Sequence, residues 1–399
     1  MVLFATNTTF PTARCHVRGA FRIATLRGIP IRVHYSFLLV LPFLAWLFGQ
    51  AFRSAAQAAE VPPERLMGSP LAWGLGLAVA LFLAVLVHEL AHSLYALRKG
   101  GEVSDITLLM IGGVSRITRM PQGSRHEALM ALAGPVTSLV LGGLFLGSYV
   151  LLEGARSFNL RFAVFYLGYL NIFLGVFNLL PAFPMDGGRI LRALLTGRLG
   201  RVRATRVAGA VGKGFAVLFG LVGLLGGNFI LIIIAFFVFM GAEGESREVL
   251  MQSLLNRVHV RELMVARTAA VEAGASLEEV AERMRAERRR ALPVVEEGRV
   301  VGLVMLANVR QVPASQRALV RVRELAVPVP ELTPEATAWE ALKEMGQRRL
   351  PQLPVVRDGV LVGTVTQEDV MRGLELRELE DSNTHGPWGL GPRERESPT

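Results

Sequence analysis

One apolar segment, residues 71–97, contains the sequence Val87-His88-Glu89-Leu90-Ala91-His92. The segment is long enough to cross a bilayer, since a spanning helix needs about 20 apolar residues. On a helix, His88 and His92 project from one face because they lie four residues apart. This is the geometry in which an H-E-x-x-H motif binds zinc, with the intervening glutamate as general base. The pattern therefore predicts a metal site inside a membrane helix.

A pair of buried histidines bonded to neighbouring carbonyl groups is the alternative interpretation of the same residues. In a soluble helix the two interpretations would be comparable, because H-E-x-x-H alone produces false positives. At membrane depth, two imidazoles and a carboxylate are unfavourable unless they bind something or line a water-filled cavity. The apolar surroundings thus favour the metal site.

The composition of the 399 residues is divided unevenly along the chain. The hydrophobic fraction of 51% and the mean hydropathy of +0.41 come mostly from residues 35–242, and the part after Ala242 is charged. We therefore predict a polytopic α-helical protein of the cell membrane, surrounded by lipid, with a soluble cytosolic domain. The net charge of +10 does not indicate nucleic acid, because the arginines cluster beside apolar spans, where topology explains them. A single cysteine, Cys15, excludes an internal disulfide and a cysteine-based zinc site.

Six apolar spans can be delimited, and an even number places both termini on one side of the membrane. Basic residues are concentrated before the first span and in the second and fourth connections, so the positive-inside rule predicts that these parts are cytoplasmic. His88 lies ten residues before Arg98, roughly 15 Å from the cytosolic boundary at 1.5 Å per residue, so we expect access from the cytosol. The spans are Ser36–Phe52, Leu71–Leu97, Ala128–Leu152, Phe162–Ala182, Val207–Gly226 and Phe229–Gly241.

Two segments beside the spans have the pattern of β-strands. Ile29–Tyr35 alternates in polarity, and Val103–Ile117 is rich in β-branched residues around Gly112-Gly113. We expect them to form a small sheet that dips into the membrane, where such backbone must be covered by protein or face a water-filled cavity. Its edge, with Gly112 and Gly113, could bind an extended peptide by strand addition. A surface hairpin without a binding role is the alternative.

The end of the fourth span supplies a candidate third metal ligand. A catalytic zinc usually has three protein ligands and one open position. Pro181 and Pro184 end the helix, and Gly187-Gly188 lets the backbone open around Asp186. This span also runs towards the cytosol, so Asp186 is expected at the depth of the two histidines. The alternative is an interfacial turn in which the aspartate caps a helix that begins near Arg189.

With these motifs, residues of about 28–242 resemble the site-two protease family of intramembrane zinc metalloproteases. The resemblance implies that His88, His92 and Asp186 bind one zinc ion and that Glu89 activates water. It also implies that Asn178 positions the substrate backbone or the attacked carbonyl, and that the substrate is a single-span membrane regulator such as an anti-sigma factor. The motifs that carry it are His88-Glu89-x-x-His92, Gly112-Gly113, Ala133-Gly134-Pro135 and Asn178-x-x-Pro181-x-x-x-x-Asp186-Gly187.

The residues themselves leave a function of another class open. In a membrane ion transporter or channel, the intramembrane His, Glu and Asp side chains would form an ion pathway. Such a pathway has no need for histidines at i and i+4 matched to a distant aspartate. The ligand spacing therefore favours the protease.

The soluble domain contains an internal repeat. Val294-Val295-Glu296-Glu297-Gly298 recurs as Val355-Val356-Arg357-Asp358-Gly359, an offset of 61 residues (355 − 294). A repeat unit that cannot bury its sheet alone pairs with its twin. The two α/β copies resemble tandem CBS domains, which the bacterial and archaeal branch of the protease family carries, and which are also found on ion transporters.

In CBS domains a Thr-x-x-Asp motif holds the phosphate and ribose of a nucleotide. Thr366 and Asp369 match this motif, whereas the first copy has Met305 and Asn308. The resemblance thus implies at most one site for ATP or AMP. The alternative is that Asp369 caps the last helix and that the pair serves as a scaffold or a homodimer interface.

The expected domain order follows from these assignments. It is a cytosolic arm (1–27), the protease domain (28–242), a linker helix (243–256), two CBS domains (257–315 and 319–376) and a disordered tail (377–399).

Overall fold

The computed structural model describes residues 19–110, 112–121, 123–152, 157–266 and 268–384, with side chains up to residue 375 in the last range. The chain divides into two compact units, one that extends to Val249 and one that begins at Leu250. The first contains the apolar spans and the second contains the internal repeat. Most of the expected cytosolic arm and the expected tail from residue 385 lie outside the described residues.

Seven helices form most of the described part of the first unit. Six of them, all but α5, are long and apolar enough to cross a membrane, which confirms the prediction of six spans. The helices are α1 Tyr35–Ala58, α2 Pro70–Arg98, α3 Ser124–Leu151, α4 Phe158–Asn178, α5 Asp186–Leu199, α6 Arg201–Leu225 and α7 Phe229–Leu255.

Several helix ends differ from the expected bounds, and two of these differences have a clear physical cause. Helix α4 ends at Asn178 and not at residue 182, because Pro181 and Pro184 cannot continue a helix. Helix α7 continues to Leu255, so the linker helix expected at 243–256 is the end of α7. Good helix formers and an ion pair at i and i+4 carry α7 onward, with Arg247 Nε 2.5 Å from Glu243 Oε1.

A four-stranded sheet accompanies the helices in the order β1 Ala20–Leu26, β2 Ile29–His34, β3 Glu102–Leu109 and β4 Gly112–Arg119. Strands β2 and β3 are parallel, with Ile31 beside Ile106, and the other two pairs are antiparallel. The expected pairing of the two strand segments is therefore present, and β4 lies at one edge of the sheet.

Strand β1 was not predicted, because apolar and polar residues do not alternate regularly along it, and in the structure its apolar side chains are exposed. The sequence signal for β1 is the turn that joins this strand to β2. Arg27 and Gly28 both have positive φ, +48° and +83°, as a two-residue type I′ hairpin turn requires. Part of the expected arm is therefore sheet.

The second unit contains a six-stranded sheet in the order β5-β10-β8-β7-β6, with β9 paired to β10. The pairs α9/α11, β7/β9 and β8/β10 each begin 61 residues apart, so the sequence repeat is also a structural repeat. Its elements are α8 Val260–Leu263, β5 Val265–Ala266, β6 Val271–Glu272, α9 Leu277–Ala286, β7 Ala291–Glu296, β8 Arg299–Met305, α10 Leu306–Gln311, α11 Ala338–Arg348, β9 Gln352–Arg357, β10 Val360–Thr366 and α12 Gln367–Thr384.

The copies join through their central strands, where Val360 pairs with Arg299. Leu292 and Leu353, which are equivalent in the two copies, are fully buried. The predicted α/β tandem repeat is thus confirmed. Residues 377–384, expected in a disordered tail, continue α12 as helix.

Candidate metal centre

His88 and His92 lie on one face of α2 and are both buried, with 4% and 6% of their surface exposed. Their Nε2 atoms are 3.1 Å apart. Asp186 Oδ2, which comes from the first residue of α5, lies 3.2 Å from each of these nitrogens. The structure therefore brings together the three side chains that the sequence analysis selected as ligands.

The distances between these atoms suit a single metal ion. Ligand atoms that lie about 2.1 Å from a common tetrahedral centre are about 3.4 Å from one another. Two neutral imidazoles and one carboxylate form a common donor set for catalytic zinc and leave one position open. The residues present thus fit the zinc ion that the sequence resemblance implies.

Helix α3 orients both imidazole rings. His92 Nδ1 lies 2.7 Å from the carbonyl oxygen of Met130, so it must carry the proton and donate it, which leaves Nε2 with its lone pair. His88 Nδ1 lies 2.9 Å from the hydroxyl of Ser138, which is fully buried. These contacts fix the ring orientation in which the two Nε2 atoms converge.

A glycine on α3 provides the space for the two rings. A Cβ atom added at Gly134 would lie 2.2 Å from His92 Nε2 and 2.6 Å from His88 Nε2. Any side chain at this position would displace the imidazoles. The Ala133-Gly134-Pro135 motif is therefore explained by the close approach of α3 to the site.

The turn between α4 and α5 positions Asp186 beside the two histidines. A Cβ atom added at Gly187 would lie 2.2 Å from the carbonyl oxygen of Leu180, so this turn packs tightly against the start of α5. Met185 is the N-cap of α5, and Asp186 is its first helical residue. The capping role considered for this aspartate is therefore not the one observed, because its carboxylate contacts the histidines.

The electrostatic surroundings keep Asp186 ionised. Burial alone would raise the pKa of its carboxyl, but its contacts with His88 and His92 and the charge of Arg189 lower the pKa well below its ordinary value. A carboxylate binds a metal ion in its deprotonated form.

Glu89 follows His88 on α2 and contacts strand β4. Ser115 donates a hydrogen bond to it, with 2.7 Å between the Ser115 Oγ and Glu89 Oε2 atoms. A Cβ atom added at Gly113 would lie 2.5 Å from Glu89 Cγ. Gly113, which we expected to contact substrate, therefore lies against the side chain of the expected general base, and Gly112 begins the same strand with a φ of +132°.

Asn178 is the last residue of α4. Its amide nitrogen donates to the carbonyl oxygen of Leu174, at 2.9 Å, on the same helix. This bond lies within the helix, and a role of Asn178 towards substrate stays a prediction.

In the second unit, Thr366 and Asp369 contact each other at the start of α12. The backbone N–H and the hydroxyl of Thr366 both donate to Asp369 Oδ2, at 2.9 and 2.7 Å, and the N–H of Asp369 donates back to the Thr366 hydroxyl at 3.1 Å. This is a capping-box arrangement in which the threonine is the cap. In the first copy, the side-chain oxygen of Asn308 is buried and has no hydrogen-bond partner.

Several residues around the metal centre were missed in the sequence. The orienting groups, Ser138 and the Met130 carbonyl, lie about one helical turn either side of Gly134 in the Ala133-Gly134-Pro135 motif, which was the available signal. A buried arginine, Arg192, pairs with Glu127 and Glu245 behind the site. The small-residue motif was used only as part of the family resemblance, although small residues on a membrane helix allow a neighbouring helix to approach closely.

Comparison with known families gives matches over both units. The model of peptidase family M50 matches residues 76–159 and 155–222. The CBS domain model matches residues 260–315 and 322–376.

Individual relatives match along most of the chain. Zinc metalloprotease MJ0392 of Methanocaldococcus jannaschii is 32% identical over 366 residues, which cover 91% of this chain and 98% of the relative. Rip3 of Mycobacterium tuberculosis is 32% identical over 383 residues, which cover 91% of this chain and 95% of the relative. Among solved structures, the site-2 protease from Methanocaldococcus jannaschii matches with 35% identity and a TM-score of 0.41, over 57% of this chain and 95% of that chain.

Proposed function

Because the chain belongs to peptidase family M50 and is a zinc metalloprotease of the site-2 type with two CBS domains, we propose that it cleaves membrane proteins within or near a transmembrane segment. The observation that carries the proposal is the convergence of His88, His92 and Asp186 at one point between apolar helices. The ion-transporter alternative has no comparable support, since this family and the named relatives are peptidases.

We assign His88, His92 and Asp186 as the zinc ligands and Glu89 as the general base. These three ligands would hold a zinc ion, which would supply an acidified water molecule and polarisation of the scissile carbonyl. Glu89 accepts the proton of the attacking water and delivers it to the departing amine. Its place beside His88, half-buried and next to the ligand cluster, supports this assignment.

Strand β4 is our candidate for presenting the substrate. A membrane-spanning substrate helix hides its carbonyl groups in internal hydrogen bonds, so it must unwind locally before it can be cleaved. Strand β4 pairs with β3 on one side only within the described sheet, so its other edge can pair with an unwound segment. Gly113 of β4 lies against the Glu89 side chain. A substrate segment paired with β4 would therefore lie close to the base.

The proposed substrate is a single-span regulator, such as an anti-sigma factor or a membrane-held transcription factor, and the proposed access to the site is from the cytosol. These assignments rest on the sequence resemblance and on the distribution of arginines. Asn178 is retained as a candidate for positioning the substrate backbone.

Replacement of the base tests the proposal. The Glu89→Gln variant should retain about one zinc ion per chain but lose cleavage of a co-expressed membrane substrate, because glutamine cannot accept the proton. The matched control is Glu64→Gln, an exposed glutamate in the first connection, which should cleave at the wild-type rate. Full activity of Glu89→Gln would remove Glu89 from the mechanism, and a His88→Ala variant that still binds zinc would remove the proposed metal site.

A further inference from the structure

Strand β4 contacts Glu89 at two positions of one face. Gly113 and Ser115 are two residues apart, so both point to the same side of the strand. An added Cβ at Gly113 would meet the Glu89 side chain, and the Ser115 hydroxyl lies 2.7 Å from Glu89 Oε2. The strand therefore touches both the stem and the carboxylate of this glutamate.

A second hydroxyl fixes the direction of this hydrogen bond. Ser93 lies one turn after Glu89 on α2 and is fully buried. Its Oγ lies 3.1 Å from the Ser115 Oγ, to which it donates. The single proton of the Ser115 hydroxyl can go to Glu89 Oε2, at 2.7 Å, or to the Glu89 backbone carbonyl, at 3.2 Å. The shorter distance and the charge of the carboxylate favour Oε2.

The two carboxylate oxygens of Glu89 differ in their hydrogen bonds to the protein. Oε2 accepts the Ser115 hydrogen bond, and Oε1 accepts none from the described side chains. One oxygen is thus held by the protein, and the other is available to a water molecule. A carboxylate held at one oxygen keeps a single rotamer, which is what proton transfer at a defined atom requires.

We propose that Ser115 is a positioning residue that holds Glu89 for proton transfer, with Ser93 supporting it; this rests on the proposed role of Glu89 as the base. Strand β4 also carries the edge that we assign to substrate. Strand β4 then positions both the substrate peptide and Glu89. Pairing of the substrate with β4 therefore sets the distance between the peptide and Glu89.

Kinetics of purified full-length variants on a transmembrane peptide substrate test the proposal. We expect Ser115→Ala to lower kcat about tenfold, on the scale of one hydrogen bond to a charged group, with KM and zinc content unchanged. Ser115→Thr keeps the hydroxyl and should recover most of the rate. Thr205→Ala, which removes another buried hydroxyl of this unit, should retain wild-type kinetics.

A double-mutant cycle with Ser93→Ala separates positioning from simple packing. If the two hydroxyls act as a chain, the Ser93→Ala change should lower kcat less in the Ser115→Ala background than in the wild type. An unchanged kcat in Ser115→Ala, equal losses in the Ala and Thr variants, or loss of zinc would overturn the proposal. If Glu89→Gln were fully active, the proposed base itself would be wrong, and the two failures are thereby distinguished.

Discussion

The guanidinium of Arg192 on α5 lies 2.7 Å, through Nε, from Glu127 Oε1 on α3, and the arginine side chain is 1% exposed. Its Nη1 also donates to Glu245 Oε1 on α7, at 2.9 Å. Arg192 therefore ties together three helices, and α5 is the helix that begins with Asp186. The third metal ligand is held in place by a buried ionic cluster as well as by the turn before it.

Removal of the arginine should destabilise the membrane unit strongly. Arg192→Met leaves the buried carboxylate of Glu127 and the partly buried carboxylate of Glu245 without their partner, and breaking a buried ion pair costs about 3–5 kcal/mol. Thermal unfolding of the purified variant in detergent should therefore begin at a clearly lower temperature, with loss of zinc. The control replaces Arg192, Glu127 and Glu245 together by methionine. It should be more stable than Arg192→Met, and equal stability of the two would show that the charges do not interact as described.

A methyl group on α3 should abolish metal binding. Gly134→Ala places a Cβ atom within 2.2 Å of His92 Nε2, so the rings must move apart. We expect purified Gly134→Ala to contain little zinc by atomic emission and to have no activity. Gly143→Ala on the same helix is the matched control, because an added Cβ there meets nothing within 4 Å. Normal zinc content in Gly134→Ala would contradict the described geometry.

The parts of the site that the sequence could predict are those fixed by local geometry. His88 and His92 face the same way because of helix periodicity, and Asp186 was selected because prolines and glycines interrupt the fourth span before it. Ser115 and Arg192 gave no such signal, since their partners lie 26 and 65 residues away and depend on how separate elements pack. Helix α5 was expected only in the alternative interpretation, as a helix that begins near Arg189, because its charged residues resemble a connection between spans.

We predict that the CBS pair binds a nucleotide. We propose one site for ATP or AMP at Thr366 and Asp369, so Thr366→Ala should weaken binding by about tenfold or more, the scale of a lost hydrogen bond to a charged group. Isothermal titration calorimetry of the full-length protein in detergent measures this. Thr337→Ala is the control, because it removes a similar capping hydroxyl, at α11, and should leave the affinity unchanged.

A CBS pair that binds neither ATP nor AMP would have another role. Absence of heat with both nucleotides would leave the observed capping box as the explanation of Thr366 and Asp369. The CBS pair would then serve as a scaffold or a homodimer interface. Sedimentation of the same sample would distinguish these two roles.

The orientation of the chain can be tested with its single cysteine removed. In a Cys15→Ser background, new cysteines at Met67 and Leu319 are well exposed, since these residues have 68% and 82% of their surface accessible. Met67 lies in the first connection, which should face outward, and Leu319 lies in the repeat unit, which should face the cytosol. A membrane-impermeant maleimide added to intact cells should therefore label Met67→Cys but reach Leu319→Cys only after the cells are opened. The reverse pattern would contradict the proposed orientation and would remove the argument for access from the cytosol.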